Sequence, residues 1–291
     1  MRDTVFIQAN ARQMLGARIA AYSFKRNSRR PHHFDLRIMT LEDFPRLKRK
    51  GQSILRGGHV RPWDPEDLQS FSPLRFAPPT MMGFSGRAVV TDPDCFALGD
   101  VADLFDRDMK GKAVMAVPRP GHGGDPDYIA TSMMLLDNGK LRHWNFDRQL
   151  DDLFAHRFDY LDWVALKREQ RTTIGLLEPG WNSFDRLNDE TKILHTTKRR
   201  TQPWKTGLLV DYTLRESGPF DTLRRLLHRR YQPHPDPNQE ALIYSLLAEM
   251  LDRRVVTKQE LVAEMAADHI RHDSFELIER YRGWNSVKQA A

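Results

Sequence analysis

Apolar runs of strand length alternate with helix-spaced patterns through the first part of the chain. The run "TVFIQAN" (4–10) predicts a buried strand, followed by a helix in which apolar residues recur near helical spacing. These residues are Met14, Leu15, Ile19 and Tyr22. Further strands are predicted at 34–45, 87–92, 112–118 and 127–137. Strands that alternate with helices are typical of an α/β fold.

The pair Asn138–Gly139, directly after the strand at 127–137, is compatible with either a hairpin turn or the start of a helix. We favour the helix, because the next apolar residues can share one broad face and no strand-like alternation follows. These residues are Leu141, Trp144, Leu150, Leu153 and Phe154.

Beyond residue 212 the pattern becomes helical. Three segments, 220–231, 238–254 and 257–284, have helical spacing, and Thr257 is expected to cap the third. The sequence therefore predicts an α/β domain over residues 1–212 and a helical region over 213–291.

Composition limits the possible functions. With 40% hydrophobic and 29% charged residues, the chain resembles ordinary soluble globular proteins. Forty-five Lys and Arg against 39 Asp and Glu favour anionic partners such as nucleotides, nucleic acid or acidic lipid headgroups. The single cysteine, Cys95, excludes an intrachain disulfide, and no apolar stretch approaches the roughly 18 residues of a membrane span. We expect a cytoplasmic protein.

The strand at 87–92 ends at Asp92-Pro93-Asp94. In an extended backbone, residues i and i+2 face the same side about 6.5 Å apart, so both carboxylates could contact one ion. Pro93 cannot donate a sheet hydrogen bond, which places the motif at a strand end, where open α/β sheets bind ligands. Two carboxylates there suit Mg²⁺ or Mn²⁺. The alternative is a simple Asp-Pro turn, since a second Asp-Pro-Asp occurs at 125–127.

The segment "VVTDPDCFALGDVADLF" (89–105) resembles part of the family 8 glycosyltransferases, the retaining nucleotide-sugar enzymes that include glycogenin and bacterial lipooligosaccharide galactosyltransferases. It is similar to their strand, Asp-x-Asp motif and following helix. Three more segments resemble the family in the same order: "LRFAPP" (74–79), "YIATSMMLLD" (128–137) and "HTTKRRTQPWKTG" (195–207). The last is similar to His-x-x-Gly-x-x-Lys-Pro-Trp, but Lys198 replaces the glycine, Gln202 takes the lysine position and one residue is inserted before Pro203.

This resemblance implies a GT-A-like, Rossmann-type nucleotide-sugar-binding sheet over residues 1–212, followed by the helical C-terminal region. It also implies a metal-dependent glycosyltransferase that acts with retention. The donor would be a nucleotide sugar, most simply a UDP-sugar, and the acceptor could be a glycan, a lipid or a protein.

The resemblance also implies roles for individual residues. Asp92, Asp94 and His195 would bind Mn²⁺ or Mg²⁺. Arg75 and Asp162 would be catalytic, with Arg75 orienting the donor sugar. The donor-binding residues would be Asn10, Arg75, Thr131, Ser132, Asp159, Lys198, Arg200, Trp204 and Lys205. Thr131 and Ser132 stand where the family has a sugar-contacting Asn-Ser-Gly turn.

Some of these roles have alternatives. Asn10 could be only a turn former at the end of a strand, and Asp159 or Asp162 could cap a helix. Which of Lys198, Arg200 and Lys205 would contact the diphosphate is left open.

Other functions also fit parts of the sequence. A nucleotidyltransferase that makes nucleotide sugars should have a glycine-rich basic loop after its first strand, and "QANARQMLG" (8–16) is not such a loop. A nucleic-acid-binding protein could use the basic runs, but they are dispersed along the chain. The glycine-rich segment 119–127 could be an acceptor lid or only a connection. The apolar and basic stripes of 222–231 fit either a packed helix or peripheral contact with an anionic membrane.

Overall fold

The computed structural model describes residues 2–67, 70–120, 128–211 and 230–284. The chain forms two compact units, Met1–Ser183 with Thr191–Leu194, and Phe184–Glu190 with His195–Ala291. The predicted domain boundary at 212 lies outside the described residues. The same holds for residues 121–127 of the glycine-rich segment and for most of the 222–231 pattern.

A mixed sheet is the centre of the first unit. The strands are β1 (Thr4–Gln8), β2 (Asp35–Met39), β3 (Ser53–Arg56), β4 (His59–Pro62), β5 (Arg87–Thr91), β6 (Cys95–Ala97), β7 (Val114–Arg119), β8 (Tyr128–Asp137), β9 (Ile174–Leu176), β10 (Ser183–Phe184) and β11 (Ile193–His195). The central sheet has the order β2-β1-β5-β8-β7-β9. Its neighbours pair in parallel except at β8, which runs antiparallel to both β5 and β7. Two smaller sheets have the orders β10-β11-β6 and β3-β4.

The helices are α1 (Met14–Arg26), α2 (Pro78–Met81), α3 (Ala102–Phe105), α4 (Phe146–Phe154), α5 (Tyr160–Val164), α6 (Pro237–Asp252), α7 (Lys258–Ala266) and α8 (Ser274–Arg280). Short 3₁₀ helices connect them with the strands, and the one at Ser72–Phe76 precedes α2. This arrangement confirms the predicted α/β fold with a helical C-terminal part.

Burial explains why the apolar runs form the sheet interior. All five residues of β1 are buried, as are the eight central residues of β8. Uninterrupted apolar runs of this kind are typical of strands that are covered on both faces. The periodicity therefore identified the central strands correctly.

The predicted strand at 34–45 is too long, because β2 ends at Met39. Thr40 starts a 3₁₀ turn, in which its backbone N–H donates to the Asp43 carboxylate at 2.9 Å. Pro45 then begins a further 3₁₀ turn. Local capping thus stopped a strand that the apolar pattern alone would have continued.

The helix predicted after Asn138–Gly139 is confirmed. A 3₁₀ turn covers Asn138–Lys140, and α4 follows from Phe146. Leu150 and Leu153 are buried on α4, whereas Leu141 and Trp144 are buried in the segment before it, so the predicted single helical face is wrong for these two residues.

The helical pattern at 257–284 divides into α7 and α8. Thr257 caps α7, as predicted, with its hydroxyl accepting from the Glu260 backbone N–H at 3.1 Å. Asp268 has a φ of 56°, a left-handed conformation that cannot continue a helix, so α7 ends before it. No helix in the described ranges combines the length and apolar character needed to cross a membrane.

Candidate active site

Arg75 lies on the 3₁₀ helix Ser72–Phe76, which aromatic packing holds in place. The Phe76 ring stacks on Trp163 at a centroid distance of 4.5 Å and lies 4.9 Å from Trp144. Leu74, on the other side of Arg75, is also fully buried. The backbone at Arg75 is therefore fixed by its apolar neighbours, and the guanidinium is presented from a rigid support.

The Arg75 guanidinium forms a buried, multiply bonded pair with Asp92. Nε and Nη2 donate to Oδ1 at 3.0 and 2.8 Å, and Nη2 also donates to Oδ2 at 2.5 Å. The side chains are only 13% and 11% exposed. Burial acts to lower the pKa of Arg75, but the Asp92 charge and hydrogen bonds outweigh it and raise that pKa. Arg75 is therefore charged at neutral pH.

Asp92 has additional contacts from two neighbouring strands. Gln8, the last residue of β1, is fully buried and donates from Nε2 to Asp92 Oδ1. The Asp92 backbone N–H donates to the Ser132 carbonyl on β8 at 2.9 Å. Since β1 and β8 are the two neighbours of β5, the first carboxylate of the motif is fixed from both sides.

Two predicted sugar-contacting residues on β8 adjoin this pair. Thr131 Oγ1 accepts from Arg75 Nη1 at 3.0 Å and donates to the Val164 carbonyl at 2.7 Å. Ser132 Oγ accepts from Asn182 Nδ2 at 3.0 Å. The structure thus brings Arg75, Thr131 and Ser132 together around Asp92.

Asp94 belongs to a different group of side chains. The chain turns after β5, with the Cys95 N–H donating to the Asp92 carbonyl at 3.3 Å. Asp94, its neighbour Cys95 and, in the second unit, His195 each offer one potential metal-ligand atom. Among the residues that the structure describes, this set contains Asp94 rather than Asp92.

The donor atoms of this group fit a divalent metal ion. A carboxylate oxygen and an imidazole nitrogen suit Mn²⁺, whereas a thiolate sulfur adds affinity for softer ions such as Zn²⁺. Asp94 is partly exposed, and Cys95 and His195 are buried. The donor set therefore supports metal binding without selecting one ion.

Two other predicted donor-binding residues act as caps. The Asn10 carboxamide oxygen accepts from the Gln13 N–H at 3.1 Å at the end of β1. Asp159 caps α5 by accepting from the Leu161 N–H at 2.7 Å and also accepts from the Gly58 N–H at 2.8 Å. Burial acts to raise the pKa of Asp159, but these hydrogen bonds outweigh it and lower the pKa. These contacts correspond to the capping alternatives.

Asp162 lies within α5 and forms an ion pair with Lys167 at 2.9 Å. Its side chain is 47% exposed, so its carboxylate remains accessible to a ligand.

The predicted basic residues of the second unit have different environments. The Lys198 side chain is exposed, and its backbone N–H donates to Asp185 at 3.1 Å. Arg200 is partly exposed. Trp204 is buried, and the Lys205 side chain has no exposed surface and pairs with Asp211.

Sequence reasoning missed three polar residues at or beside these groups: Gln8, Cys95 and Asn182. Gln8 had a weak signal, as a polar residue that ends an apolar strand, and Cys95 directly follows Asp94. Asn182 had none, because it lies 50 residues from its partner Ser132.

No protein-family model matches the sequence, and no curated protein matches it. Solved structures do resemble it. The bifunctional glycosyltransferase WbbM is 13% identical, with a TM-score of 0.50 over 70% of this chain and 47% of that chain. The glycosyltransferase GlyE of Streptococcus pneumoniae TIGR4 is 15% identical, with a TM-score of 0.50 over 88% of this chain and 64% of that chain.

The protein has the GT-A glycosyltransferase fold. The fold that the sequence motifs implied is therefore confirmed. The chain spans less than two thirds of the length of these two glycosyltransferases. In this GT-A fold, Gln8 ends β1, Asp92 follows β5, and Thr131 and Ser132 lie in the half of β8 that extends beyond β5.

Proposed function

We propose that the protein is a metal-dependent glycosyltransferase that moves a sugar from a nucleotide-sugar donor to an acceptor with retention. The observation that carries this proposal is the Asp-x-Asp motif at the end of β5, whose first carboxylate pairs with Arg75. The sequence resemblance favours a UDP-sugar donor and leaves a glycan, a lipid or a protein as the acceptor.

Asp94 and His195 would hold the ion, Mn²⁺ or Mg²⁺, and the resemblance adds Asp92 as a ligand. A divalent ion bound there supplies positive charge that stabilises the departing nucleoside diphosphate. The thiol of Cys95, the residue after Asp94, is a further potential ligand.

The remaining roles follow from exposure and contacts. Arg75 would orient the donor sugar, with Thr131 and Ser132 bordering the same space. The exposed Lys198 and partly exposed Arg200 are better placed than the buried Lys205 to contact the diphosphate. Asp162, accessible on α5, keeps its proposed catalytic role.

The competing functions receive less support from the structure. A nucleotidyltransferase should have a glycine-rich loop after β1, whereas here Asn10 caps a 3₁₀ turn that leads into α1. In the basic run at 25–30, Arg29 pairs with Asp100 and Asp103, and Arg30 pairs with Asp106. Arginines that are neutralised within the protein are poor candidates for a nucleic-acid surface. We further propose a reducing, cytoplasmic site of action, which the single cysteine favours.

A thermal-shift screen tests the donor. Nucleoside diphosphates and nucleotide sugars are added with Mn²⁺ or with excess chelator, and the melting temperature is measured. A specific donor at about 100 times its Kd should stabilise the fold by about 2.7 kcal/mol. Equal stabilisation in chelator would overturn metal dependence, and the absence of a shift with every nucleotide sugar would overturn the transferase proposal.

A matched pair of variants tests the metal site. Asp94→Asn keeps the shape but removes an anionic ligand, so metal-dependent donor cleavage should fall by orders of magnitude while the melting temperature is kept. Asp127→Asn changes the second Asp-Pro-Asp motif in the same way and should have much less effect. An active Asp94→Asn beside an inactive but folded Asp127→Asn would contradict the assignment.

A further inference from the structure

The segment 44–63 of the first unit is strongly basic. It contains six Arg and Lys residues and neither Asp nor Glu, in a chain whose formal net charge is only +6. It forms the 3₁₀ turn Pro45–Lys48 and the hairpin of β3 and β4. The hairpin turns at Gly57 and Gly58, which both have positive φ, as a two-residue hairpin turn requires. Residues 44–63 are called the basic hairpin below.

Half of the cations in the basic hairpin are engaged within the protein. Arg46 and Lys48 form ion pairs, and Arg56 lies over the ring of Tyr160. The side chains of the other three are exposed and have no partner among the described residues: Arg49, Lys50 and Arg61. Three positive charges are therefore available to an external anion.

Trp63 brings these charges into one part of the surface. Its backbone N–H donates to the Gln52 carbonyl at 2.8 Å and closes the base of the hairpin. Its indole N–H donates to the Leu47 carbonyl at 2.7 Å. The two free cations between Leu47 and Gln52 are thereby held near the end of β4, the strand that carries Arg61.

The hairpin also exposes an apolar side chain on a fixed support. Every residue of β4 is exposed, and Val60 is 61% exposed. Asp159 holds the turn by accepting from the Gly58 N–H at 2.8 Å, and Leu161, itself 40% exposed, lies against Gly57. Aliphatic side chains beside free cations suit the boundary between charged headgroups and acyl chains in a bilayer.

We propose that the basic hairpin is a docking surface for an anionic membrane. Arg49, Lys50 and Arg61 contact the lipid headgroups, and Val60 enters the boundary with the acyl chains. This role goes beyond sugar transfer, because it gives the first unit a lipid partner whatever the donor and the acceptor are.

Nucleic acid is the competing polyanion, and the apolar side chains argue against it. Proteins bind single strands by stacking bases on exposed aromatic rings. Of the two aromatic residues in the basic hairpin, Trp63 is buried and Phe44 packs edge-on against Phe146 at 5.1 Å. The exposed Val60 would gain nothing from a phosphate backbone, whereas a bilayer removes it from water.

Co-sedimentation of the full chain with vesicles tests this surface. The vesicles contain phosphatidylcholine alone or mixed with phosphatidylglycerol, and the variant replaces Arg49, Lys50 and Arg61 with Gln. One Lys or Arg near an anionic bilayer strengthens binding about fivefold, so the affinity of the variant for mixed vesicles should fall about 100-fold. The wild-type protein should bind mixed vesicles and not phosphatidylcholine alone.

A matched control replaces three exposed arginines from other parts of the surface, whose side chains likewise have no described partner, with Gln: Arg142, Arg171 and Arg253. Both triple variants reduce the formal net charge of +6 by three, so they differ only in where the charge is lost. The control should keep its vesicle affinity within about fivefold. Val60→Ser leaves the charge unchanged and should still weaken vesicle binding several-fold.

The melting temperature and the binding of uridine diphosphate should be the same in wild type and in both triple variants, because the replaced side chains are exposed and unpaired. Equal loss of vesicle affinity in the two triple variants would overturn the proposal, as would a wild-type protein that does not bind mixed vesicles. Binding of single-stranded or duplex DNA that only the hairpin variant loses, without binding to vesicles, would make nucleic acid the partner instead.

Discussion

Lys205 and Asp211 form an ion pair in which the lysine side chain has no exposed surface. The other carboxylate oxygen of Asp211 accepts from the Tyr231 hydroxyl at 2.5 Å, and the Lys205 ammonium lies 5.6 Å from the centre of the Tyr231 ring. Burial acts to raise the pKa of Asp211, but Lys205 and Tyr231 outweigh it and lower that pKa. The segment after Trp204 is thus joined to Tyr231 through the Asp211 carboxylate.

Lys205→Met should therefore affect stability first. The change leaves the Asp211 carboxylate half buried without its cation, and breaking such a pair costs about 3 kcal/mol. Urea unfolding measures this loss, and Lys198→Met is the control. Because Lys198 is exposed, its change should leave stability nearly constant and weaken uridine diphosphate binding. A stable Lys205→Met protein that loses only nucleotide affinity would assign the diphosphate contact to Lys205 instead.

Cys95 should influence which metals the protein binds. Cys95→Ser removes the sulfur donor next to Asp94, so Zn²⁺ affinity should fall about tenfold while Mn²⁺ affinity changes little. Co²⁺ provides a direct spectroscopic measurement, since a thiolate ligand gives a near-ultraviolet charge-transfer band. This band should be present in wild type and absent in the variant. An identical Co²⁺ spectrum for both proteins would show that the thiol is not a ligand.

Asp159 and Asp162, three residues apart, should have separable effects. Asp159→Ala removes the cap of α5 and should lower the free energy of unfolding by about 1 kcal/mol without changing the donor KM. Asp162→Asn removes an accessible carboxylate and should lower kcat while stability stays within about 0.5 kcal/mol. Urea titrations and donor kinetics on both variants distinguish the roles. The opposite pattern would make Asp159 the sugar contact.

Asp100 should make stability depend on pH in acid. Burial acts to raise its pKa, but hydrogen bonds from Arg29 and Ala102 outweigh it and lower the pKa from 3.8 to about 2. Because the folded-state pKa is depressed, the contribution is fully present above pH 4 and is lost as the pH falls towards 2.

We therefore expect Asp100→Asn to be destabilised by about 1 kcal/mol at pH 7, because a neutral amide replaces the charged acceptor of these hydrogen bonds, with a smaller difference at pH 3. Urea unfolding at both pH values measures it, with Asp106→Asn in an exposed ion pair as the control. A difference that is the same at both pH values would rule out ionisation of Asp100 as its source.

The central strands could be predicted because their apolar runs favour a strand locally and are also the residues that the sheet buries. β1 and β5 are short apolar runs in a doubly covered sheet, and the apolar spacing after Asn138 correctly favoured a helix, which begins at Phe146. The predicted end of β2 was wrong, because a cap at Thr40, rather than hydrophobicity, determines where that strand ends.

The site could be predicted only in part, because its residues contact partners that are far away in the sequence. The spacing of Asp92 and Asp94 assumed one extended backbone, but β5 ends at Thr91 and the chain turns before β6. Arg75 is 17 residues from Asp92, and Gln8 is 84 residues from it. The burial of Lys205 depends on Tyr231, a contact that a basic run in the sequence does not reveal.

The antiparallel pairing of β8 with β5 limits where residues can be inserted or deleted. β8 pairs with β5 only over Met133–Asp137, so Thr131 and Ser132 lie in the half that extends beyond β5. Successive residues of a strand face opposite sides of the sheet. One residue inserted between Ser132 and Met133 would therefore move the side chains of Thr131 and Ser132 each to the opposite face. An insertion on the N-terminal side of Tyr128 leaves their register with β5 unchanged. We therefore expect related sequences to gain or lose residues before β8 and not within it.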